Sequence, residues 1–291
     1  MPDSFPVIFV TAATGQLGGL VVKSLLEAVP AECVIAGVRD ASKASFLEHL
    51  GVAVRTADYD MPETLDGAFA GVDCVLLISS NALGRRVHQQ RNVVDAAKRA
   101  GVKLLAYTSV LHADNSPLGL AEDHRRTETD IRRSGIPFAL LRNGWYTENY
   151  AAGAKLSVEH GVVLGSAGDG RISSASRADY AAAAATVLTG SDFESGRIYE
   201  LAGDDAFAMP QYAAELARQS GKPVVYRDLP QTAYRDALVS MGLPDDLATL
   251  LADSDVGASR GALFDDGRGL STLIKRPTTP MAATVSEALR T

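Results

Sequence analysis

A doubly wound α/β fold, its parallel sheet covered by helices on both faces, is predicted by three features of this chain. Short apolar runs alternate with helical patterns through the first half, a glycine-bearing turn joins the first run to the first helix, and polar residues gather directly after the runs. Strand, crossover helix and strand in that order give parallel pairing, with ligands outside the carboxyl ends of the strands. The runs are Val7-Ile8-Phe9-Val10, Cys33-Val34-Ile35-Ala36-Gly37-Val38-Arg39, Val52-Ala53-Val54-Arg55, Val75-Leu76-Leu77-Ile78, Leu104-Leu105-Ala106-Tyr107 and Phe138-Ala139-Leu140-Leu141. Among the segments between them, 63–69, 86–100 and 123–134 carry apolar or small residues at helical spacing.

After the first run, Thr11-Ala12-Ala13-Thr14-Gly15-Gln16-Leu17-Gly18 opens a helix. This context is the βαβ unit of a Rossmann-type sheet, which holds a dinucleotide pyrophosphate on backbone N–H groups. Gly15 lets the backbone approach the phosphates, and Gly18 lets the helix close on the strand. Ala12 stands where the usual spacing has its first glycine; a positive φ there costs about 1–2 kcal/mol and is expected to weaken cofactor binding. The second strand ends in Val38-Arg39 instead of a carboxylate. A guanidinium pairs with a ribose 2′-phosphate, so the expected cofactor is NADP(H). Lys43 either adds to that charge or is simply solvated, and Asp40 either caps the next helix or partly offsets Arg39.

The chain has 291 residues, 22% charged and 46% hydrophobic, enough for a large core. Its net charge of −7, with no basic cluster, argues against nucleic acid or an anionic membrane as partner. The two cysteines, Cys33 and Cys74, fall in strand-like runs, and Met1-Pro2-Asp3-Ser4 lacks an export pattern, so a reduced cytoplasm is expected. No apolar window spans a bilayer. No His, Cys and carboxylate spacing suits a metal, and no Gly-x-Ser-x-Gly elbow is present.

Four strand ends carry the polar residues: Asp58-Tyr59-Asp60, Ser79-Ser80-Asn81, Thr108-Ser109-Val110-Leu111-His112, and the segment from Arg142 to Tyr150. Asp58 either closes a turn or meets the cofactor; Ser79 and Ser80 either cap the next helix or line the site. The last segment holds the only tryptophan, two tyrosines and two asparagines, reading as a flat aromatic wall for a planar ring or as a packed hinge. His112 is either a proton donor or a satisfied loop histidine. His49, His88 and His160 read as helix-surface or loop residues, and His124 has no assigned role.

Short-chain dehydrogenases commonly carry Tyr-x-x-x-Lys on the helix after the fifth strand, but here that helix reads Glu122-Asp123-His124-Arg125-Arg126-Thr127-Glu128. A ketone reduced to an alkoxide, whose conjugate acid resembles water at ~15.7, needs such an acid. A quinone does not, because its product is phenolate-like, with a conjugate acid near ~10, close to tyrosine. Solvent protonates that product, leaving proximity and orientation as the protein's main contribution.

The Thr-x-Ala-Thr-Gly-Gln-Leu-Gly turn, Val38-Arg39, Ala106-Tyr107-Thr108-Ser109, His112-Ala113-Asp114, Ser116-Pro117-Leu118-Gly119-Leu120-Ala121 and Leu141-Arg142-Asn143-Gly144-Trp145-Tyr146 closely resemble type-2 NAD(P)H:quinone oxidoreductases, in the atypical short-chain dehydrogenase, NmrA-like group. So do the stretches Ala175-Ser176-Arg177-Ala178-Asp179-Tyr180, Tyr199-Glu200-Leu201-Ala202-Gly203, Leu251 to Ser259 and Leu263-Phe264-Asp265-Asp266. The resemblance spans essentially the whole chain. It implies a Rossmann domain over 1–142, with 172–200 packing back onto it, a smaller α+β substrate-binding subdomain over 143–291, and NADP(H) in the cleft without flavin.

The same resemblance implies that Ala12, Ala13, Thr14, Gly15, Gln16 and Leu17 wrap the pyrophosphate and that Arg39 reads the 2′-phosphate. Ser79, Ser80 and Asn81 would line the cofactor, as would Asn143, Gly144, Trp145, Tyr146, Thr147 and Glu148, and Ala175, Ser176, Arg177, Ala178, Asp179 and Tyr180. Family members carry glycine where Ala12 stands. In the second half, 210–220, 232–241 and 245–252 read as helical, Pro277 and Pro280 bracket a turn before a final helix, and Asp179 opens an alanine-rich helix as a cap or dipole partner.

The leading expectation is an NADPH-dependent quinone oxidoreductase with direct two-electron hydride transfer. Asn143 and Tyr146 orient the ring, Asn143 or His112 polarises the carbonyl, and His112 or solvent supplies protons. A dinucleotide-binding redox sensor without turnover and a triphenylmethane-dye reductase are the alternatives. The expected partner is a small planar quinone, with homodimerisation left open and neither nucleic acid nor a membrane anchor.

Overall fold

The computed structural model describes residues 5–82, 84–190 and 194–290; the tetrapeptide read above for an export pattern lies outside them. Nine strands are described: β1 (Ile8–Val10), β2 (Val34–Val38), β3 (Ala53–Thr56), β4 (Cys74–Leu77), β5 (Leu104–Val110), β6 (Phe138–Asn143), β7 (Val162–Gly165), β8 (Arg197–Leu201) and β9 (Val225–Asp228). Seven form one sheet in the order β3-β2-β1-β4-β5-β6-β8, and β7 pairs with β9 in a small parallel sheet. β1 pairs in parallel with both β2 and β4, so strand order reverses between β1 and β4 as in a Rossmann sheet.

The apolar runs become strands because a sheet covered on both faces buries every side chain. All residues of β1, β2, β4 and β5 are buried, whereas the edge strands β3 and β8 carry exposed residues, Arg197 among them. Arg197 puts a charge on the β8 edge, which discourages pairing with a second chain.

By internal contacts the chain divides into two compact units. The first comprises 1–110, 123–142 and 177–199; the second comprises 111–122, 143–176 and 200–291. In the first unit, helix Arg177–Thr189 packs on helix Gln16–Leu26, and its buried alanines keep the approach close. In the second, β7 and β9 lie among helices that include Met209–Ser220 and Asp245–Ser259.

Several boundaries depart from the sequence reading. Cys33 lies in a 3-10 turn, Ala31–Cys33, before β2 and not within it, while Cys74 opens β4, where burial pushes its thiol up to about 11. The helix read as 245–252 continues to Ser259 because tertiary packing overrides the low propensity of Gly257. A Cβ on that glycine would lie 2.4 Å from Leu118 Cδ2. Among the described residues, no helix is long and apolar enough to cross a membrane.

Candidate active site

The turn after β1 is the best-defined feature of the first unit. Ala12 adopts φ 49°, and its carbonyl accepts the Gly15 N–H at 2.9 Å. A Cβ on Gly18 would lie 2.3 Å from Ala12 O and 2.8 Å from Ala13 Cα, so only glycine lets this helix meet its own turn. The Gly19 N–H closes onto Gly15 O at 3.0 Å, and no side chain caps the helix, leaving the first-turn amides as an anion-accepting end. Gly37 of β2 is needed for another reason: a Cβ there would lie 2.2 Å from Phe9 Cε1, and its carbonyl holds the Ala13 N–H at 3.0 Å.

The fork between β1 and β4 is clamped by two hydroxyls, of Thr11 and Tyr59, whose pairing the sequence reading did not give. Thr11 Oγ1 donates to Leu76 O at 2.9 Å and accepts the Ile78 N–H at 2.9 Å, while Tyr59 donates to Ile78 O at 2.9 Å and contacts Thr11 Oγ1 at 2.5 Å. Burial holds the Tyr59 phenol well above its ordinary range, so it remains a donor.

At the end of β2, Arg39 is exposed. Asp40 is occupied with Ser42, accepting its N–H at 3.0 Å and its hydroxyl at 2.6 Å; these bonds lower its carboxyl, and it caps a 3-10 turn. Lys43 lies 3.8 Å from Asp40 and is largely exposed. Asp58 closes a turn by accepting the Asp60 N–H at 2.9 Å.

Ser79 and Ser80 are built into protein contacts. Ser79 donates its N–H to Thr108 Oγ1 at 2.9 Å and accepts from Gln90 Nε2 at 2.9 Å; Ser80 bonds Gln89 Oε1 and accepts the Ala82 N–H at 3.1 Å. Ser80 thus braces the loop, and helix Arg86–Arg99 has no side-chain cap. Asn81 is exposed. Gln90 continues inward to Thr127 and, at 3.2 Å, to Tyr107, whose hydroxyl lies 2.8 Å from His124 Nδ1. Burial depresses His124 to about 3, so it is a neutral structural histidine. Four residues along the same helix, buried Glu128 takes Ser109 Oγ at 2.6 Å and both nitrogens of a fork from Arg142, at 2.9 and 2.7 Å. Arg142 therefore belongs to this interior pair. Asp179 and Tyr180, in the first turn of helix Arg177–Thr189, are buried.

In the second unit, the residues that continue from β5, β6 and β8 are hydrogen-bonded together. The Leu111 N–H donates to Asn143 O at 2.9 Å, the Gly144 N–H to Leu201 O at 2.7 Å, and the His112 N–H to the Glu200 carboxylate at 2.8 Å. This brings His112 next to Asn143, which is buried and whose Oδ1 has no hydrogen-bond partner. A buried unsatisfied acceptor is costly and marks a place for a donor from elsewhere. His112 has φ 53°, and its Nε2 lies 3.2 Å from Asp265 Oδ2.

The segments containing 143–148 and 172–176 are stitched side by side. Ala175 N donates to Trp145 O at 3.1 Å, Thr147 N donates to Ala175 O at 3.0 Å, and the hydroxyls of Thr147 and Ser174 meet at 2.8 Å. Tyr146 pairs with Ala175 as an isolated bridge and stands just before helix Thr147–Ala151, which carries Glu148 in its first turn. Tyr150 stacks edge-on to Phe207 at 6.0 Å and tilts against Tyr212 at 6.0 Å. This end of the aromatic segment is thus a packed cluster and not an open wall. Near it lies a group that sequence reasoning missed: buried Asp255 accepts the Ser166 N–H at 2.9 Å, and desolvation raises it to about 6.

Comparison with known proteins gives a consistent result. Residues 12–190 match the model of the NAD(P)H-binding family. The chain is 56% identical to quinone oxidoreductase 2 of Escherichia coli over 280 residues, covering 96% of this chain and 98% of that protein. The E. coli quinone oxidoreductase crystallised with NADPH superposes with a TM-score of 0.94 at 55% identity, covering 97% of this chain and 99% of that one. Triphenylmethane reductase of Citrobacter sp., solved with NADP(H), gives 0.93 at 40% identity over 97% of this chain and 99% of that one.

Proposed function

This chain belongs to the NAD(P)H-binding family, and from that premise we propose that it is an NADPH-dependent quinone oxidoreductase working without flavin. The observation that carries this reading is the 56% identity to the E. coli enzyme over nearly the full length of both chains. The residues present fit the dinucleotide. The uncapped first turn behind Gly15 and Gly18 offers amides to a pyrophosphate, Arg39 stands exposed where a 2′-phosphate needs a cation, and the bare Asn143 Oδ1 lacks a donor. When bound, NADPH supplies a hydride, that is two electrons and one proton.

In this reading Ala12 to Leu17 hold the pyrophosphate, with contributions to the cofactor from Ser79 to Asn81, Asn143 to Glu148 and Ala175 to Tyr180. Asn143 and Tyr146 orient the ring, and His112 serves proton transfer. The protein acts in the cytoplasm on a small planar quinone; light scattering tests whether it does so as a homodimer. Steady NADPH oxidation with simple quinones, and little with NADH, is the expected result. A folded, NADPH-saturated sample that reduces no quinone overturns it in favour of a sensor without turnover. Arg39→Ala should weaken NADPH about tenfold or more, as befits a lost charge-assisted bond, and leave NADH unchanged. Likeness to the Citrobacter dye reductase favours a second reading, ranked by competing a triphenylmethane dye against a quinone.

A further inference from the structure

His112 is held from several directions within the second unit. Its N–H donates to Glu200, its carbonyl accepts the N–H groups of Asn115 at 2.9 Å and Ser116 at 2.8 Å, and its φ of 53° lies in a region where a non-glycine residue persists only if its surroundings impose it. Asp265 is fixed as firmly. Its N–H donates to Ser173 Oγ at 3.1 Å, its carbonyl accepts the Ser173 hydroxyl at 2.7 Å, and its Oδ1 accepts the Gly267 N–H at 2.8 Å. The other carboxylate oxygen, Oδ2, faces His112 Nε2 at 3.2 Å; the Asp265 side chain is 15% exposed and that of His112 is 40% exposed. A sheltered, doubly anchored carboxylate thus meets one nitrogen of a half-open imidazole. A carboxylate in this relation selects the tautomer and aims the ring.

We propose that Asp265 is a positioning residue: by accepting from His112 Nε2 it fixes one tautomer and one ring orientation, leaving Nδ1 as the atom that hands a proton to the oxyanion of the reduced quinone. The proton hand-off rests on the quinone reading above. With hydride already delivered, the Nδ1–H bond of the imidazolium breaks and an O–H bond forms on the hydroquinone monoanion. The ring keeps its Nε2–H toward Asp265, and water returns the proton to Nδ1.

The test uses the full chain. Long-range ¹H–¹⁵N spectra of the neutral His112 ring should show the Nε2–H tautomer in the parent and lose that preference in Asp265→Asn. The same variant should lower kcat for quinone about tenfold, less than the roughly 10²–10⁴ typical of general acid–base catalysis because water competes, with KM nearly unchanged. Asp265→Glu should recover much of the rate, and His112→Gln with Asp265→Asn together should be no slower than His112→Gln alone. An Nδ1–H tautomer in the parent, read without any substitution, or full kcat in folded Asp265→Asn overturns the proposal. A folded parent that reduces no quinone overturns the quinone reading and the hand-off with it, and the tautomer then decides the Asp265 contact on its own.

Discussion

Ala12 in the first unit and His112 in the second share an unusual backbone: each stands two positions past the end of a strand, β1 and β5 respectively, and each is a non-glycine residue with φ near 50°. At Ala12 the side chain is a methyl group that adds nothing polar, and the conformation serves only the tight turn that Gly15 and Gly18 complete. At His112 the same conformation carries an imidazole to Asp265 and a backbone N–H to Glu200. On the proposal above, strain of one kind is incidental in one place and serves the site in the other. The positive φ expected at Ala12 is present, at 49°; whether its cost of about 1–2 kcal/mol reaches the cofactor or falls on folding alone is what the Ala12→Gly variant below decides.

The largest expected effect breaks the turn itself. Gly18→Ala drives a Cβ against the backbone of Ala12 and Ala13, which cannot swing aside, and should cost about 3 kcal/mol or more, the upper range of overpacking. Isothermal titration with NADPH should show binding lost, and unaltered affinity would mean the helix yields. Next comes His112→Gly, which suits the backbone and removes the imidazole. Thermal stability should hold or rise while kcat for quinone falls about tenfold, and a fall in both would make His112 structural like Ala12.

A third test separates His112 from the buried His124. Burial depresses His124 to about 3, so between its ordinary value near 6.5 and that point the unfolded chain binds a proton that the folded chain refuses. Its contribution to stability is complete above about pH 6.5 and is lost as pH falls toward 3. Urea unfolding should weaken with acid over this window, and His124→Gln should flatten the slope. The smallest effect is Ala12→Gly: relieved strain and added chain entropy nearly cancel, changing stability by less than about 1 kcal/mol and leaving NADPH affinity as it was. Markedly tighter binding would restore the idea that the alanine taxes the cofactor.

The parallel sheet was legible because strands buried on both faces read as unbroken apolar runs, and the turn was legible because Gly15 and Gly18 answer local steric demands. What lay hidden depends on residues far apart in sequence. Arg142 reads as the start of a polar site segment, yet it turns inward to Glu128. Ser79 reads as a cofactor contact or a helix cap, yet its hydroxyl belongs to Gln90. The Asp265 partner of His112 stands 153 positions away, and neither residue announces the other. Asp255 had only a family-like stretch to mark it, since its desolvation comes from packing that no local pattern encodes.

The fork from Arg142 to Glu128, with Ser109 on the same carboxylate and Arg132 at 3.1 Å, also limits what protein engineers can make of this scaffold. Retrofitting a tyrosine and lysine at positions 124 and 128 would press a second ammonium-type charge into a dry interior already holding a guanidinium. An alcohol-forming ketoreductase built on this frame would have to surrender Arg142 as well, because replacing Glu128 alone leaves the buried guanidinium uncompensated at a cost of about 3–5 kcal/mol. The interior lock thus weighs against redesign toward acceptors whose reduced forms need a tyrosine and lysine pair as proton donor.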